Sequence, residues 1–130
     1  MKIRIVTEHG ELAAEIDNSK SSKNPKTAKA IIAALPIIAE ANRWGDEVYF
    51  DIPVKIGKEN TQSDMEIGDI AYWPPGPGFC IFFGPTPVSK NSKPRIASPG
   101  NVFGRITTPT DFINILKQVK DGEDIRVERG

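Results

Sequence analysis

The chain has little of what most often carries chemistry. Among its 130 residues there is one cysteine, Cys80, and one histidine, His9. A lone cysteine excludes an internal disulfide and a cysteine-built zinc site, and it suits a reducing compartment. The lone histidine lies in a Glu-His-Gly turn, around which no Ser/His/Asp set can be assembled. Charge of one sign is missing too: 17 basic residues balance 17 acidic ones, so no overall field favours nucleic acid or an anionic membrane. No apolar run approaches the roughly 20 residues of a membrane span. The N-terminus, MKIRIVTEHG, is too short and too charged for a signal peptide. A soluble, cytoplasmic protein is expected, folded as one domain over residues 1–130.

What the chain does have is aromatic residues concentrated in one place. Residues 68–87, GDIAYWPPGPGFCIFFGPTP, hold Tyr72, Trp73, Phe79, Phe82 and Phe83. Pro74, Pro75 and Pro77 lack an amide donor and cannot lie inside a sheet ladder. Gly76 and Gly78 permit a reversal between them. The pattern predicts two strands joined by a stiff loop. Further strands are expected at 2–7 and 11–17, where Leu12, Ala14 and Ile16 alternate with Glu11, Ala13 and Glu15. Others are expected at 47–54, 101–107 and 124–128, with 56–65 a polar connection. A helix is predicted at 27–35, with Asn24 as cap, Pro25 at its first position and Pro36 as its stop. A second is predicted at 110–119, with Thr108 as cap and Pro109 first, presenting Phe112, Ile115, Leu116 and Val119 on one face. Many short strands, two helices and abundant Gly/Pro turns indicate a mostly-β barrel with helices covering its ends.

Three segments in this order resemble the cyclophilin superfamily, and most closely its small prokaryotic cyclophilin-like members of uncharacterised function. Pro25-Lys26-Thr27-Ala28 is similar to the opening of the first cyclophilin helix. Gly78 to Phe83, with Ala71 upstream, is similar to the stretch in which a Gly/Asn-rich loop leads into a Gln-Phe-Phe strand. Val102-Phe103-Gly104-Arg105-Ile106, followed by the helix carrying Phe112 and Val119, is similar to the Val-Phe-Gly-Lys-Val strand and second helix. The resemblance implies a closed eight-stranded β-barrel with two capping α-helices. It also implies a groove, but one whose polar residues differ. Where prolyl isomerases of the family place an Arg, this chain has Asp46 or Glu47, with Arg43 the nearest arginine. The groove Gln is replaced by Cys80-Ile81, and the groove His by Ser98-Pro99-Gly100-Asn101. The expected function is therefore binding of a peptide segment or small metabolite without standard isomerase activity. The alternative is a divergent peptidyl-prolyl isomerase, which needs Arg43, Arg95 or Arg105 over an apolar groove.

The candidate groove residues are Arg43, Trp44, Glu47, Tyr72, Trp73, Phe79 and Phe103. Amphipathic aromatic rings at a pocket rim bind ligands well, although aromatic residues in alternating strands ordinarily form core. Arg43 beside Trp44 offers a guanidinium and an apolar wall; its ordinary reading is an edge arginine packed on an indole. Asp46 and Glu47 are neighbours and cannot enter one site from a strand. One of them facing the mouth would hold a ligand cation or hydroxyl, whereas the ordinary reading is a solvated turn. Cys80 reads as an inert buried thiol. Asp64, Glu66 and Asp69 lack calcium-loop spacing, so no metal is expected. The prolines around Gly76 and Gly78 remove the amides a phosphate would need, and no cofactor is expected. The basic residues Lys20, Lys23 and Lys26, like Lys90, Lys93 and Arg95, have no interleaved aromatics and make no nucleic-acid footprint.

Overall fold

The computed structural model describes residues 1–108 and 111–130. Strands β1 (Lys2–Thr7) and β2 (Gly10–Ile16) form where strands are expected, and they pair antiparallel. Helix α1 (Pro25–Ala34) follows, then β3 (Ile37–Glu40), β4 (Asn42–Arg43) and β5 (Glu47–Asp51). Next come β6 (Gln62–Asp64), β7 (Asp69–Trp73), β8 (Gly78–Phe82) and the long β9 (Arg95–Ile106). Helix α2 (Phe112–Gln118) and β10 (Asp124–Arg129) complete the chain. The strand order is β3-β10-β1-β2-β9-β7-β8-β5-β4, with β6 on β9. No helix among the described residues is long and apolar enough to cross a membrane.

The fold is mostly β with two helices, as expected, but two details of the barrel change. The described residues form ten strands rather than eight, and hydrogen bonds do not close the sheet. Its two ends, β3 and β4, are successive pieces of one stretch separated only by Ala41. β3 pairs with β10 and β4 with β5, so the covalent chain rather than a ladder spans the gap.

The interior is filled from alternating positions. Ile3 and Ile5, Leu12 and Ile16, Val48 and Phe50, Ile70 and Tyr72, and Phe79 and Ile81 all point inward. Phe50 stacks on Phe79 with ring centroids 4.8 Å apart, and Phe79 meets Phe103 edge-on at 5.4 Å. Leu116 and Val119 of the predicted helical face are buried against this core, with Phe112 and Ile115 packed beside them.

Capping departs from expectation. The Asn24 side chain makes no cap bond. It is fully buried, donating to the Val102 carbonyl at 2.7 Å and accepting from the Asn60 amide at 2.8 Å. Glu59 takes over at α1, accepting from the Lys26 and Thr27 amides, each at 3.1 Å. Burial pushes the Glu59 carboxyl up, but these bonds and the Thr27 hydroxyl outweigh it and leave it below its ordinary value. At α2 the predicted Pro109 and Thr110 positions lie outside the described residues. The Thr108 hydroxyl accepts from the Ala13 amide at 2.7 Å, and α2 begins after Asp111.

Candidate functional site

The strands that bury one face in the core carry a second set of side chains on the other. Ala71 and Trp73 on β7, Cys80 and Phe82 on β8, and Tyr49 on β5 belong to it, with Met65, Ile96 and Val102 packed alongside. β6 and the first half of β9 border this face, paired at Gln62 with Gly100 and at Asp64 with Arg95. A cavity of about 260 Å³ opens there, lined by Trp44, Glu47, Tyr49, Trp73, Ile96 and Ala97.

A tight turn puts Trp44 and Glu47 on the same side. The Trp44 amide donates to the Glu47 carbonyl at 3.0 Å, and the Glu47 amide returns the bond at 3.2 Å. The two residues are therefore directly opposed across a two-residue hairpin loop of Gly45 and Asp46. Gly45 has φ 60°, the left-handed conformation this first turn position requires, and a Cβ there would sit 2.9 Å from Pro87. One register step away, Arg43 pairs with Val48 and so faces the opposite way.

Arg43 is accordingly not in the cavity. Its Nη1 donates to the carbonyls of Lys117 at 3.0 Å and Val119 at 3.1 Å, at the end of α2. Its Nε and Nη2 donate to the Gly45 carbonyl at 3.1 and 2.9 Å. The guanidinium lies 5.0 Å from the centre of the Phe83 ring and 3.5 Å from Asp46. These contacts make it a clamp between the hairpin turn and the C-terminal end of α2, where a cation is favourable. Arg43→Ala should cost about 2 kcal/mol in urea unfolding, because several carbonyls lose a charged donor. Arg43→Lys should restore less than half, since one ammonium cannot fork to both partners. A variant as stable as the parent would mean that these bonds are not maintained in solution.

Three further candidates are core. Tyr72, Phe79 and Phe103 are 0–1% exposed and belong to the interior cluster. The Tyr72 hydroxyl donates to the Val54 carbonyl at 2.8 Å and accepts from the Ile56 amide at 3.1 Å. Strand alternation turns these rings inward while their neighbours Trp73 and Cys80 turn outward. The other arginines are elsewhere: Arg95 bonds Asp64 at 2.7 Å, and Arg105 lines a separate hollow of about 480 Å³ with Asp17, Lys23 and Asp69.

The cavity thus gathers Trp44, Glu47 and Trp73 of the predicted set, and adds Tyr49, Ile96 and Ala97. The Trp73 indole nitrogen donates to Ser98 Oγ at 2.8 Å, which holds that ring. Glu47 is not a solvated turn residue; it is 4% exposed. Among the described residues, no cation and no N–H donor meets its carboxyl. Burial raises its pKa from 4.5 to about 7, and the neighbouring Cys80 thiol opposes the rise only in part. Burial and the Glu47 charge push Cys80 well up, so it stays a thiol. Tyr49 is raised by its own partial burial first and by Glu47 second. A half-neutral carboxyl in an apolar, indole-walled cavity can accept from or donate to a ligand hydroxyl or amide, or pair with a ligand cation.

The profile of the cyclophilin-like family matches residues 1–128. The solution structure of the hypothetical protein AF2241 from Archaeoglobus fulgidus is 45% identical with a TM-score of 0.80, covering 100% of this chain and 95% of that one. The structure of McbB in complex with tryptophan aligns with a TM-score of 0.71 at 17% identity, a likeness of fold alone. It covers 98% of this chain and 44% of the McbB chain. No curated protein matches the chain.

Proposed function

The chain belongs to the cyclophilin-like family, and from that premise we propose that it is a ligand-binding member whose Glu47 cavity holds a small metabolite or one side chain of a peptide segment, without standard prolyl isomerase activity. One observation carries this reading. Glu47 is a nearly buried carboxyl with no cationic partner among the described residues, placed where it lines an open cavity. A buried ionisable group without a partner is costly to the fold, and such groups concentrate at functional sites. An isomerase would need a guanidinium over the cavity; Arg43 and Arg95 are hydrogen-bonded elsewhere, and Arg105 lines a different hollow.

The two tryptophans of the sequence, Trp44 and Trp73, both line the cavity, so selectively excited tryptophan fluorescence reports on it. Titration with choline or a capped Ala-Pro peptide should change the emission saturably, or titration with indole or phenol, which emit themselves, should release saturable heat in calorimetry, for at least one probe. The amide shifts of residues 44–49 and 71–73 should move with it. Trp44→Phe and Trp73→Phe should weaken that response with melting temperatures little changed. No response to any probe overturns the reading. The same Ala-Pro peptide should isomerise at its uncatalysed rate, tens to hundreds of seconds; a clear acceleration overturns the non-isomerase half.

A further inference from the structure

We propose that the Glu47 cavity is a receptor for an N-alkylated ammonium group, held between its aromatic walls and the Glu47 carboxylate. The proposal rests on the cavity being a ligand site and names the chemistry of what enters it.

The walls come first. Three of the six lining residues are aromatic, namely Trp44, Tyr49 and Trp73. The aromatic pairs among the described residues involve Phe50, Phe79 and Phe103 and none of these three rings. Among the described residues, the one cation stacked on a ring is Arg43 on Phe83, on the other side of the hairpin. The cavity rings therefore have no partner of either kind among those residues. Electron-rich ring faces of this sort attract a cation, tryptophan most strongly.

The carboxyl comes second. Glu47 is buried beside these rings, and no Lys or Arg lines the cavity. The chain carries no net charge, so attraction for a cation here is local. A bound cation would relieve the cost of ionising Glu47 in an apolar setting.

The polar inventory then selects among cations. A primary ammonium brings three N–H donors and a tightly held hydration shell. The side-chain acceptors among the lining residues are those of Glu47 and Tyr49, while Ser98 Oγ already accepts from Trp73. Donors left over would have to keep water inside the apolar cavity. A quaternary or heavily alkylated nitrogen has none to satisfy and presents methyl groups to the rings. Size agrees: at about 260 Å³ the space is below the ~300–1,000 Å³ of drug-sized sites. It suits a headgroup or the end of one side chain rather than a whole cofactor. Such a group occurs both in free small molecules and in methylated lysine side chains.

The test is a titration at pH 8 with choline, its uncharged carbon isostere 3,3-dimethylbutan-1-ol, and a short peptide carrying trimethyl-lysine, followed by tryptophan emission and calorimetry. Choline or the peptide should bind about tenfold or more tighter than the isostere, and the tighter of the two identifies the source. Glu47→Gln should remove most of that preference, and Trp73→Phe should weaken the cation several-fold while the variant still melts cooperatively. Affinity for the cation should rise with pH through about 7 as Glu47 ionises. The groups facing it, Tyr49 and Cys80, are both raised and stay neutral across that range. Equal binding of choline and the isostere overturns the cation inference and leaves a merely apolar ligand site. Binding of indole or phenol without either cation does the same. Silence of every probe removes both readings.

Discussion

Glu47→Gln should stabilise the protein at pH 8 by about 3 kcal/mol and change it little at pH 4. The sign follows from the direction of the pKa. In the unfolded chain the carboxyl loses its proton near its ordinary 4.5, whereas in the fold it holds the proton to about 7. Between those values the native state binds more protons than the unfolded state, so stability falls as pH rises. Above about 7 both states are ionised and the loss is complete. A gap of roughly 2.5 in pKa corresponds to about 3 kcal/mol. Glutamine keeps the shape and cannot ionise, so this part of the pH dependence vanishes. Asp69, raised by burial, contributes in the same direction, and Asp17, Glu59 and Glu123, held low, contribute oppositely in acid. These are common to both proteins and cancel in the difference. Urea unfolding of the pair at half-unit steps from pH 4 to 8 measures it. Parallel curves would mean that Glu47 is solvated and that the cavity carboxyl is not what burial makes it.

Most of the frame was legible from local patterns. Period-two alternation located β1, β2 and β5, β10 was expected as the last strand, and the prolines around Gly76 separated β7 from β8. The pieces that escaped lack a strong pattern of their own. β3 follows directly on Pro36, where a helix stop hides a strand start, and exposes Ile38 while burying Ile37. β6 is a three-residue polar strand held by pairing with β9. Half of β9 lies before Asn101 and contains Pro99 and Gly100, residues that interrupt a strand pattern. The candidate site was legible in part and for a physical reason. Residue type pointed to the tryptophans and to Glu47, but facing is decided by register. Alternation alone could say that Arg43 and Trp44 part company, or that Phe79 and Cys80 do. It could not say which member goes inward. Tyr49, two residues from Glu47 on β5, follows from alternation once Glu47 is placed, whereas Ile96 and Ala97 come from a segment distant in sequence and nothing local marks them.

Phe79→Ala should cost about 4 kcal/mol, the usual range for deleting a buried aromatic side chain, and leave Glu47 titrating as before. Phe79 is fully buried, stacked on Phe50 and edge-on to Phe103, so the lost ring leaves a void between two other rings as well as a lost transfer energy. Its neighbour gives the opposite result. Cys80 is equally buried but packs on the second face, beside Glu47. Cys80→Ala should cost only about 1 kcal/mol, in line with removing one small group. It should also move the Glu47 titration upward, because the thiol contact is what restrains the rise. Unfolding curves measure the first effect, and the pH dependence of tryptophan emission measures the second, since both indoles border the carboxyl. Adjacent residues of one strand thus separate two roles: Phe79 holds the core of the sheet, and Cys80 tempers the charge state of a cavity carboxyl that burial sets. If Phe79→Ala were mild and shifted the emission instead, Phe79 would face the cavity, the register of β8 would be one residue off, and the ring-walled carboxyl site would lose its geometry.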